Sequence, residues 1–248
     1  MIRIEPVDTG QKVKISGPEG FGRWYLRLPE VIMLDGPSYD VSIERYEPNS
    51  DGTVGVSGRC PAHDSDALYC ATFTILYRPY AGRIDITVTV TNQGPAKWTA
   101  GGEVMACLQP AENNKEFADP DGGYTHVLYN GEFRRISQFP DLQGKAFVPG
   151  EMFSYRVQGE EMHPDRARKH QHMQVLDSGV IMRTSHDGTR IIAFYWDRVH
   201  RVSGNSAISC IHSNPRITDL SPNQTETRRG SIYFISPWNQ IKRDFAMR

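Results

Sequence analysis

The sequence predicts an all-β protein, built as one large antiparallel two-sheet β-sandwich over residues 1–248. Short segments rich in β-branched and aromatic residues recur along the chain, and turns separate them, which fits its 22 Gly and 16 Pro. Helix signals are weak, since Ala111–Phe117 and Met162–His170 lack the apolar spacing of a core helix. No linker or repeat divides the chain, and single sandwiches of about 250 residues are common.

The clearest strand is Arg83–Thr91, in which every second residue is apolar. This period of two predicts that Ile84, Ile86, Val88 and Val90 lie on one buried face. The segment Tyr69–Tyr77 precedes this strand across a turn that contains Pro and Gly, and Trp98–Leu108 follows it. The sequence therefore predicts a three-stranded antiparallel meander over residues 67–108.

The C-terminal half repeats this pattern of strands and turns. We expect strands at Gln174–Thr184 and Arg190–Trp196, joined by an Asp-Gly turn at residues 185–188. Two more strands are expected at Ser206–Ile211 and Thr225–Ile235. Shorter strands are expected nearer the N-terminus, at Lys12–Ile15, Arg23–Leu28, Tyr39–Tyr46 and Thr53–Gly58.

Charge and hydropathy exclude several classes of function. The formal net charge of −1 argues against a general nucleic-acid binder and against a polybasic membrane binder. No apolar run approaches the roughly 18 residues of a membrane helix, and the N-terminal residues lack the apolar core of a secretion signal. We therefore expect a cytoplasmic protein, or a secreted one if a leader was removed, with no nucleic-acid or membrane partner. The sequence is also compatible with a homo-oligomer.

The four cysteines form no C-x-x-C motif, so a zinc ribbon or a thioredoxin-type site is not supported. Cys60 and Cys70 flank a short segment and could pair, whereas Cys107 and Cys210 lie far apart in apolar surroundings. We expect four free thiols, most of them buried as small hydrophobic side chains.

His170 and His172 have the H-x-H spacing, which on a strand directs two imidazoles to one side, where they could bind a metal. A cupin-type site places a Glu shortly after such a pair, but here the nearest acid is Asp177. Two alternatives stay open: solvated histidines in a basic loop, or contacts to an anionic substrate. The sequence indicates no particular cofactor, and it is compatible with a divalent metal bound by His170 and His172.

A second group of candidate residues surrounds His200 and His212, while the common nucleophile motifs are absent from the sequence. Aromatic faces stack on pyranose rings, Arg pairs bidentately with carboxylates, and His exchanges protons near neutral pH. These residue types suit a sugar or uronate site, with Arg134 or Arg198 near an anionic group. The alternative is that each histidine is structural and that Trp196 lies in the core. The candidate catalytic residues are His212, His200 and Tyr195, and the candidate substrate-binding residues are Trp196, Asn205, Arg198, Arg134 and His126.

The C-terminal segment resembles a group of poorly characterised bacterial all-β proteins. The matching residues are Trp196, Gly204-Asn205, Cys210-Ile-His-Ser213 with Pro215, and Arg229-Gly-Ser-Ile-Tyr-Phe234. The strand that ends at Asn92, followed by Trp98 and Val104–Leu108, also resembles the sheet edge of galactose-mutarotase-like supersandwich domains. The resemblance implies a supersandwich or jelly-roll-like fold, a carbohydrate context, and a site lined by His212, Asn205 and Trp196. The His acid and Glu base of sugar epimerases cannot be matched here, so mutarotase activity is not implied.

Three functions remain open. The first is a carbohydrate-active lyase or epimerase that abstracts a proton from a uronate-like or oxidised sugar, with His and Tyr as acid–base groups. The second is a noncatalytic carbohydrate-binding β-sandwich. The third is a metal-dependent cupin-like enzyme that uses His170 and His172. The first two share a small-molecule sugar or a glycan as the expected partner.

Overall fold

A computed structural model describes residues 2–7, 12–33, 38–61, 70–98, 102–139, 147–159, 174–217 and 219–236. These residues form strands, turns and short 3₁₀ segments at Lys115–Phe117, Ile136–Gln138 and Ser206–Ile208. The strands assemble into two sheets, with one parallel pair among the antiparallel pairings of the described ranges. The predicted fold class, an all-β two-sheet sandwich, is confirmed. No helix in the described ranges is long and apolar enough to cross a membrane.

The strands are numbered along the chain. They are β1 (Arg3–Pro6), β2 (Val13–Ser16), β3 (Arg23–Arg27), β4 (Ile32–Met33), β5 (Ser38–Tyr39), β6 (Ser42–Pro48), β7 (Val54–Cys60), β8 (Ala71–Pro79), β9 (Arg83–Asn92), β10 (Gly102–Val104), β11 (Cys107–Pro110), β12 (Thr125–Tyr129), β13 (Glu132–Arg135), β14 (Met152–Val157), β15 (Val175–Leu176), β16 (Ile181–Thr184), β17 (Ile191–Trp196), β18 (Val199–Asn205), β19 (Cys210–Ile217) and β20 (Thr225–Ile235).

Eleven of the described strands form one sheet and nine form the other. The eleven-stranded sheet runs in the order β1-β2-β3-β11-β19-β10-β4-β5, and β18, β14 and β15 extend it from β19. The nine-stranded sheet runs in the order β13-β12-β16-β17-β20-β9-β8-β7-β6.

One hydrophobic core lies between the sheets. The nine-stranded sheet contributes Ile84, Ile86, Val88 and Val90 of β9, each at most 1% exposed, which confirms the predicted buried face. The eleven-stranded sheet contributes residues such as Trp24, Leu26 and Leu108, which are fully buried in the same cluster.

The predicted meander over residues 67–108 is confirmed for two strands and wrong for the third. β8 pairs with β9 in antiparallel register. After β9 the chain leaves this sheet, because the Asn92 side chain donates to the carbonyl oxygens of Ala96 and Leu220, at 2.8 and 2.9 Å, and fixes a turn. The chain then forms β10 and β11, and both of these short strands pair with β19 in the opposite sheet.

β20 occupies the position that the meander assigned to its third strand. It pairs with β9 on one side and with β17 on the other. One sheet therefore joins β6–β9 from the N-terminal half to β12, β13, β16 and β17 from the C-terminal half.

Several other predicted strands are confirmed, some of them with shifted bounds. Thr225–Ile235 agrees with β20 at both ends, and the turn at 185–188 joins β16 to β17. The predicted strand Gln174–Thr184 is two strands, because a bend at residues 177–179 separates β15 from β16. The strand predicted at Ser206–Ile211 is wrong at its start, because Ser206–Ile208 is a 3₁₀ turn and β19 begins at Cys210.

Candidate functional site

The eleven-stranded sheet carries a set of polar side chains on the face that points away from the core. Ile211 of β19 points into the core, so the alternation of a strand places Cys210 and His212 on the other face. His212 is paired with Ser203 of β18 and with Cys107 of β11. We call this side the polar face, and its members are Glu103, Cys107, Ser154, Arg156, Arg201, Ser203, Cys210, His212 and Asn214.

A β-bulge directs two consecutive side chains of β18 at one acid. The register of β18 against β19 shifts between Val199 and Arg201, and a bulge of this kind reorients the side chains around it. His200 Nδ1 lies 2.8 Å from Glu103 Oε2, and Arg201 donates to Glu103 Oε1. The carboxylate accepts from Nδ1 of His200, so Nε2 keeps its lone pair and can accept a proton.

Several buried polar atoms on or beside the polar face have no hydrogen-bond partner within the described part of the chain. They are Ser154 Oγ, Arg156 Nε, His200 Nε2, Arg201 Nε and Asn214 Nδ2. Each unpartnered buried polar group costs about 1–3 kcal/mol of stability, so such groups are uncommon without a functional reason. Their concentration on one face is typical of a site that binds a polar ligand.

Two cysteines meet His212 on the same face. The two Sγ atoms of Cys107 and Cys210 and a ring nitrogen of His212 all lie within 4.8 Å of one another. A hydrogen bond from Cys107 lowers the pKa of Cys210 to about 4, and the hydrogen bond with His212 contributes to this. The contact with Cys210, together with burial, raises the pKa of Cys107.

The four cysteines are free, as expected, and Cys60, Cys107 and Cys210 are buried.

His200 and His212 lie on the same sheet and reach the same face. Asn205 lies at the edge of this face, opposite Cys210 in the β18–β19 register. Its side-chain oxygen accepts from the backbone N–H of Ala207 at 3.0 Å and thereby caps the following 3₁₀ turn.

Five of the predicted site residues do not reach the polar face. Trp196 is 4% exposed and belongs to the core between the sheets, as the alternative interpretation held. His126 lies on β12 and Arg134 on β13, at the edge of the nine-stranded sheet. Burial lowers the pKa of His126 to about 4. Arg198 is exposed in the turn between β17 and β18.

Tyr195 lines a different groove, on the outer side of the nine-stranded sheet. This groove has a volume of about 480 Å³, and in it Tyr195 stacks on Tyr233 with 6.0 Å between ring centroids. In the groove Arg83 Nε lies 3.0 Å from Asp85 Oδ1, and none of the unpartnered buried polar atoms of the described residues lies there. The polar face is therefore the stronger candidate site.

The metal site predicted at His170 and His172 lies outside the described residues.

Reasoning from the sequence missed Glu103 and Arg156. Glu103 could have been identified from the sequence, because it is the one acid in the apolar segment Trp98–Leu108, and a carboxylate buried there needs partners. No feature of the sequence marks Arg156 as a site residue, since an arginine that alternates with apolar residues on a strand is usually solvated.

No known protein-family model matches the chain, and no curated protein is significantly similar to it. Among solved structures, an α-mannosidase from Enterococcus faecalis V583 has a TM-score of 0.51 and 10% identity, over 100% of this chain and 30% of that one. A galactose mutarotase-like protein from Lactobacillus casei ATCC 334 has a TM-score of 0.46 and 11% identity, over 95% of this chain and 100% of that one. Another galactose mutarotase-like protein, from Clostridium acetobutylicum, has a TM-score of 0.42 and 8% identity, over 96% of this chain and 99% of that one. At these identities the likeness concerns the fold alone.

Proposed function

We propose that the chain is a carbohydrate-active protein whose polar face binds an acidic sugar. The observation that carries the proposal is the set of buried, unpartnered polar atoms on that face. A sugar hydroxyl both donates and accepts, so one polyhydroxylated ligand can satisfy hydroxyl, imidazole, amide and guanidinium atoms together. The name of the α-mannosidase with this fold is consistent with a sugar as the class of ligand.

Two arginines favour a sugar that carries a carboxylate. Arg156 and Arg201 are directly opposite each other on β14 and β18, an arrangement in which like charges repel. Glu103 offsets the charge of Arg201. A ligand carboxylate would offset the charge of Arg156 through a bidentate pair, so a uronate fits this face better than a neutral sugar.

We assign proton transfer to His200. Glu103 orients its ring through Nδ1 and would stabilise the imidazolium that forms when Nε2 takes a proton. That proton comes from the ring carbon next to the carboxylate of a uronate, and the bonding electrons move into the carboxylate to give an enediolate. The arginines stabilise the negative charge that develops there.

Two outcomes follow from the enediolate. Elimination expels the oxygen substituent on the next carbon, which takes up the proton that His200 gained and leaves as an alcohol, while a carbon–carbon double bond forms in the sugar. Return of a proton to the opposite face of the ring carbon is epimerisation and needs a second acid on that side. We favour the lyase reaction, because it needs one base and His200 supplies it.

Binding is the first test, by titration calorimetry with uronate and neutral oligosaccharides of equal length. We expect the uronates to bind at least about tenfold more tightly, and Arg156→Gln to remove this preference, because the carboxylate loses its bidentate partner. Arg134→Gln is the matched control, since it removes an exposed arginine from the other sheet and should change neither affinity. Wild-type protein that binds neither class of sugar would contradict the proposal.

Turnover distinguishes a lyase from a binding module. Elimination appears as new ultraviolet absorbance from the unsaturated uronate, and epimerisation in heavy water appears as deuterium at the reacting carbon. Uronate binding without either product would assign the chain to the noncatalytic carbohydrate-binding proteins.

A further inference from the structure

Cys107, Cys210 and His212 form a compact group of potential metal ligands. Cys210 and His212 are two residues apart on β19 and therefore share a face, and Cys107 lies opposite His212 on β11. All three residues are at most 5% exposed. Their ligand atoms lie within 4.8 Å of one another, and Cys210 Sγ lies 3.2 Å from His212 Nε2.

These distances are close to those of a tetrahedral zinc site. Zn–S bonds of about 2.3 Å and Zn–N bonds of about 2.0–2.1 Å place two sulfurs about 3.8 Å apart, and a sulfur and a nitrogen about 3.6 Å apart. Small rotations of the three side chains would bring the observed group to this geometry. The strands that carry the ligands are paired in one sheet, which keeps Cys107 opposite His212.

Neighbouring groups hold two of the ligands in place. His212 Nδ1 lies 3.4 Å from Ser203 Oγ, which can accept the Nδ1 proton and so leave the Nε2 lone pair for the ion once a metal replaces the hydrogen bond between Nε2 and Cys210. Metal-bound histidines are typically fixed by such a hydrogen bond from the other ring nitrogen. The backbone N–H of Asn205 donates to the Cys210 sulfur.

We propose that Cys107, Cys210 and His212 bind one thiophilic metal ion, Zn²⁺ or Cu⁺. Thiolate ligands select these soft ions over Mg²⁺ and Ca²⁺, and imidazole suits both zinc and copper. Two thiolates and a neutral imidazole carry a charge of −2, which balances the charge of Zn²⁺ and suits a buried site. Three protein ligands leave a fourth coordination position for water or another ligand, as in catalytic zinc sites. The proposal does not depend on the acidic-sugar site.

The test uses the full chain, reduced and stripped with a chelator, and then incubated with Zn²⁺, Co²⁺ or Cu⁺. We expect one ion per chain by elemental analysis. With Co²⁺ we also expect the sulfur-to-cobalt charge-transfer band that thiolate ligation produces. Zinc should raise the melting temperature, because an ion that binds only the folded chain stabilises it. Stoichiometric Cu⁺ without Zn²⁺ or Co²⁺ would identify the ion as copper.

Variants locate the ion. Cys107→Ser, Cys210→Ser and His212→Gln should each weaken metal binding at least about 100-fold, because each removes a ligand. Ser203→Ala should weaken it about tenfold, because it removes the hydrogen bond that orients His212. Cys60→Ser is the matched control, since Cys60 is a buried cysteine on the other sheet, and its metal affinity should equal that of the wild type.

Folding of each variant is checked by circular dichroism, and the conservative His212→Gln variant retains a side chain of similar reach. Folded, reduced wild-type protein that binds none of the three ions would overturn the proposal. Wild-type affinity in both Cys107→Ser and His212→Gln would also overturn it, because the ion would then lie elsewhere.

Discussion

His200 and His212 differ in which ring nitrogens already have partners. His200 uses Nδ1 for Glu103, and its Nε2 has no partner among the described residues. We expect His200→Gln to lower turnover of an acidic sugar by about 10²–10⁴-fold, the usual contribution of a general base. The melting temperature should change little, because Gln can still donate to Glu103. Initial rates and thermal unfolding of the same preparation test this, and full activity would remove His200 from the reaction.

His212 should respond in the opposite way. Both ring nitrogens contact protein atoms, Ser203 Oγ and Cys210 Sγ, and the ring is 5% exposed inside β19. We expect His212→Gln to reduce the free energy of unfolding by about 1–3 kcal/mol through lost hydrogen bonds. Urea denaturation of metal-free protein measures this loss, and a variant as stable as the wild type would contradict it.

His126 should make stability depend on pH. Burial lowers its pKa to about 4 in the folded protein, from 6.5, the ordinary value of a histidine. The unfolded chain therefore binds a proton more readily, so stability is highest above about pH 6.5 and falls as the pH drops toward 4. We expect His126→Gln to reduce the loss of stability between pH 6.5 and pH 4 by on the order of 1–2 kcal/mol. This is less than the full pKa shift would give, because the ring is partly exposed. Denaturation midpoints at several pH values measure it; identical slopes for both proteins would refute the assignment.

At the scale of single elements, a buried ion pair connects β16 to the segment before β12. Arg183 Nε lies 3.7 Å from Asp119 Oδ2, and both side chains are 1% exposed. Arg183 also donates to the Phe117 carbonyl oxygen at 2.6 Å, and Thr125 Oγ1 donates to Asp119 at 2.6 Å.

We expect Asp119→Ala to reduce the free energy of unfolding by about 3–5 kcal/mol, because it leaves the buried Arg183 charge uncompensated. Asp121→Ala, two residues away at an exposed position, is the control and should change stability by less than about 0.5 kcal/mol. Chemical denaturation compares the two, and similar values for both would show that the ion pair contributes little.

Some elements were predictable from the sequence because their signal is local. The alternation in β9 follows from one buried face, so its four apolar residues could be identified without knowledge of its neighbours. The segment after β9 was assigned to the wrong sheet, because the turn at Asn92 depends on contacts with Leu220, a distant residue. Local patterns determine that a strand forms, whereas its partner depends on the rest of the fold.

The candidate site was predictable only in part for a related reason. His200 and His212 are close in sequence and lie on adjacent strands, so their shared face could be anticipated. Glu103 and Cys107 join them through the pairing of β10 and β11 with β19, about a hundred residues later in the chain. Because this register joins distant segments of the chain, no short stretch of sequence predicts it.

At the scale of the whole molecule, β20 connects the two halves of the nine-stranded sheet, and Gly230 lies at the junction. It is paired with Ile86 of β9 and with Trp196 of β17. A Cβ atom at this position would lie 2.5 Å from the Trp196 ring and 2.7 Å from the Tyr195 carbonyl oxygen.

We expect Gly230→Val to reduce the free energy of unfolding by about 1–3 kcal/mol, because the added atoms overpack this junction. Gly123→Ala is the control, since a Cβ there meets no atom within 4 Å, and it should be nearly neutral. Thermal unfolding measures both, and equal melting temperatures would show that the junction can relax.

The central position of β20 has a consequence for synthesis of the chain. Thr225 of β20 pairs with Thr91 of β9, a residue made 134 positions earlier. At about 5–20 residues per second, on the order of ten seconds pass before β9 can meet its partner. Throughout that interval β9 has an open backbone edge and an alternating β-branched sequence, the combination that favours intermolecular strand pairing. The nascent chain should therefore depend on chaperones that cover this edge until translation reaches β20.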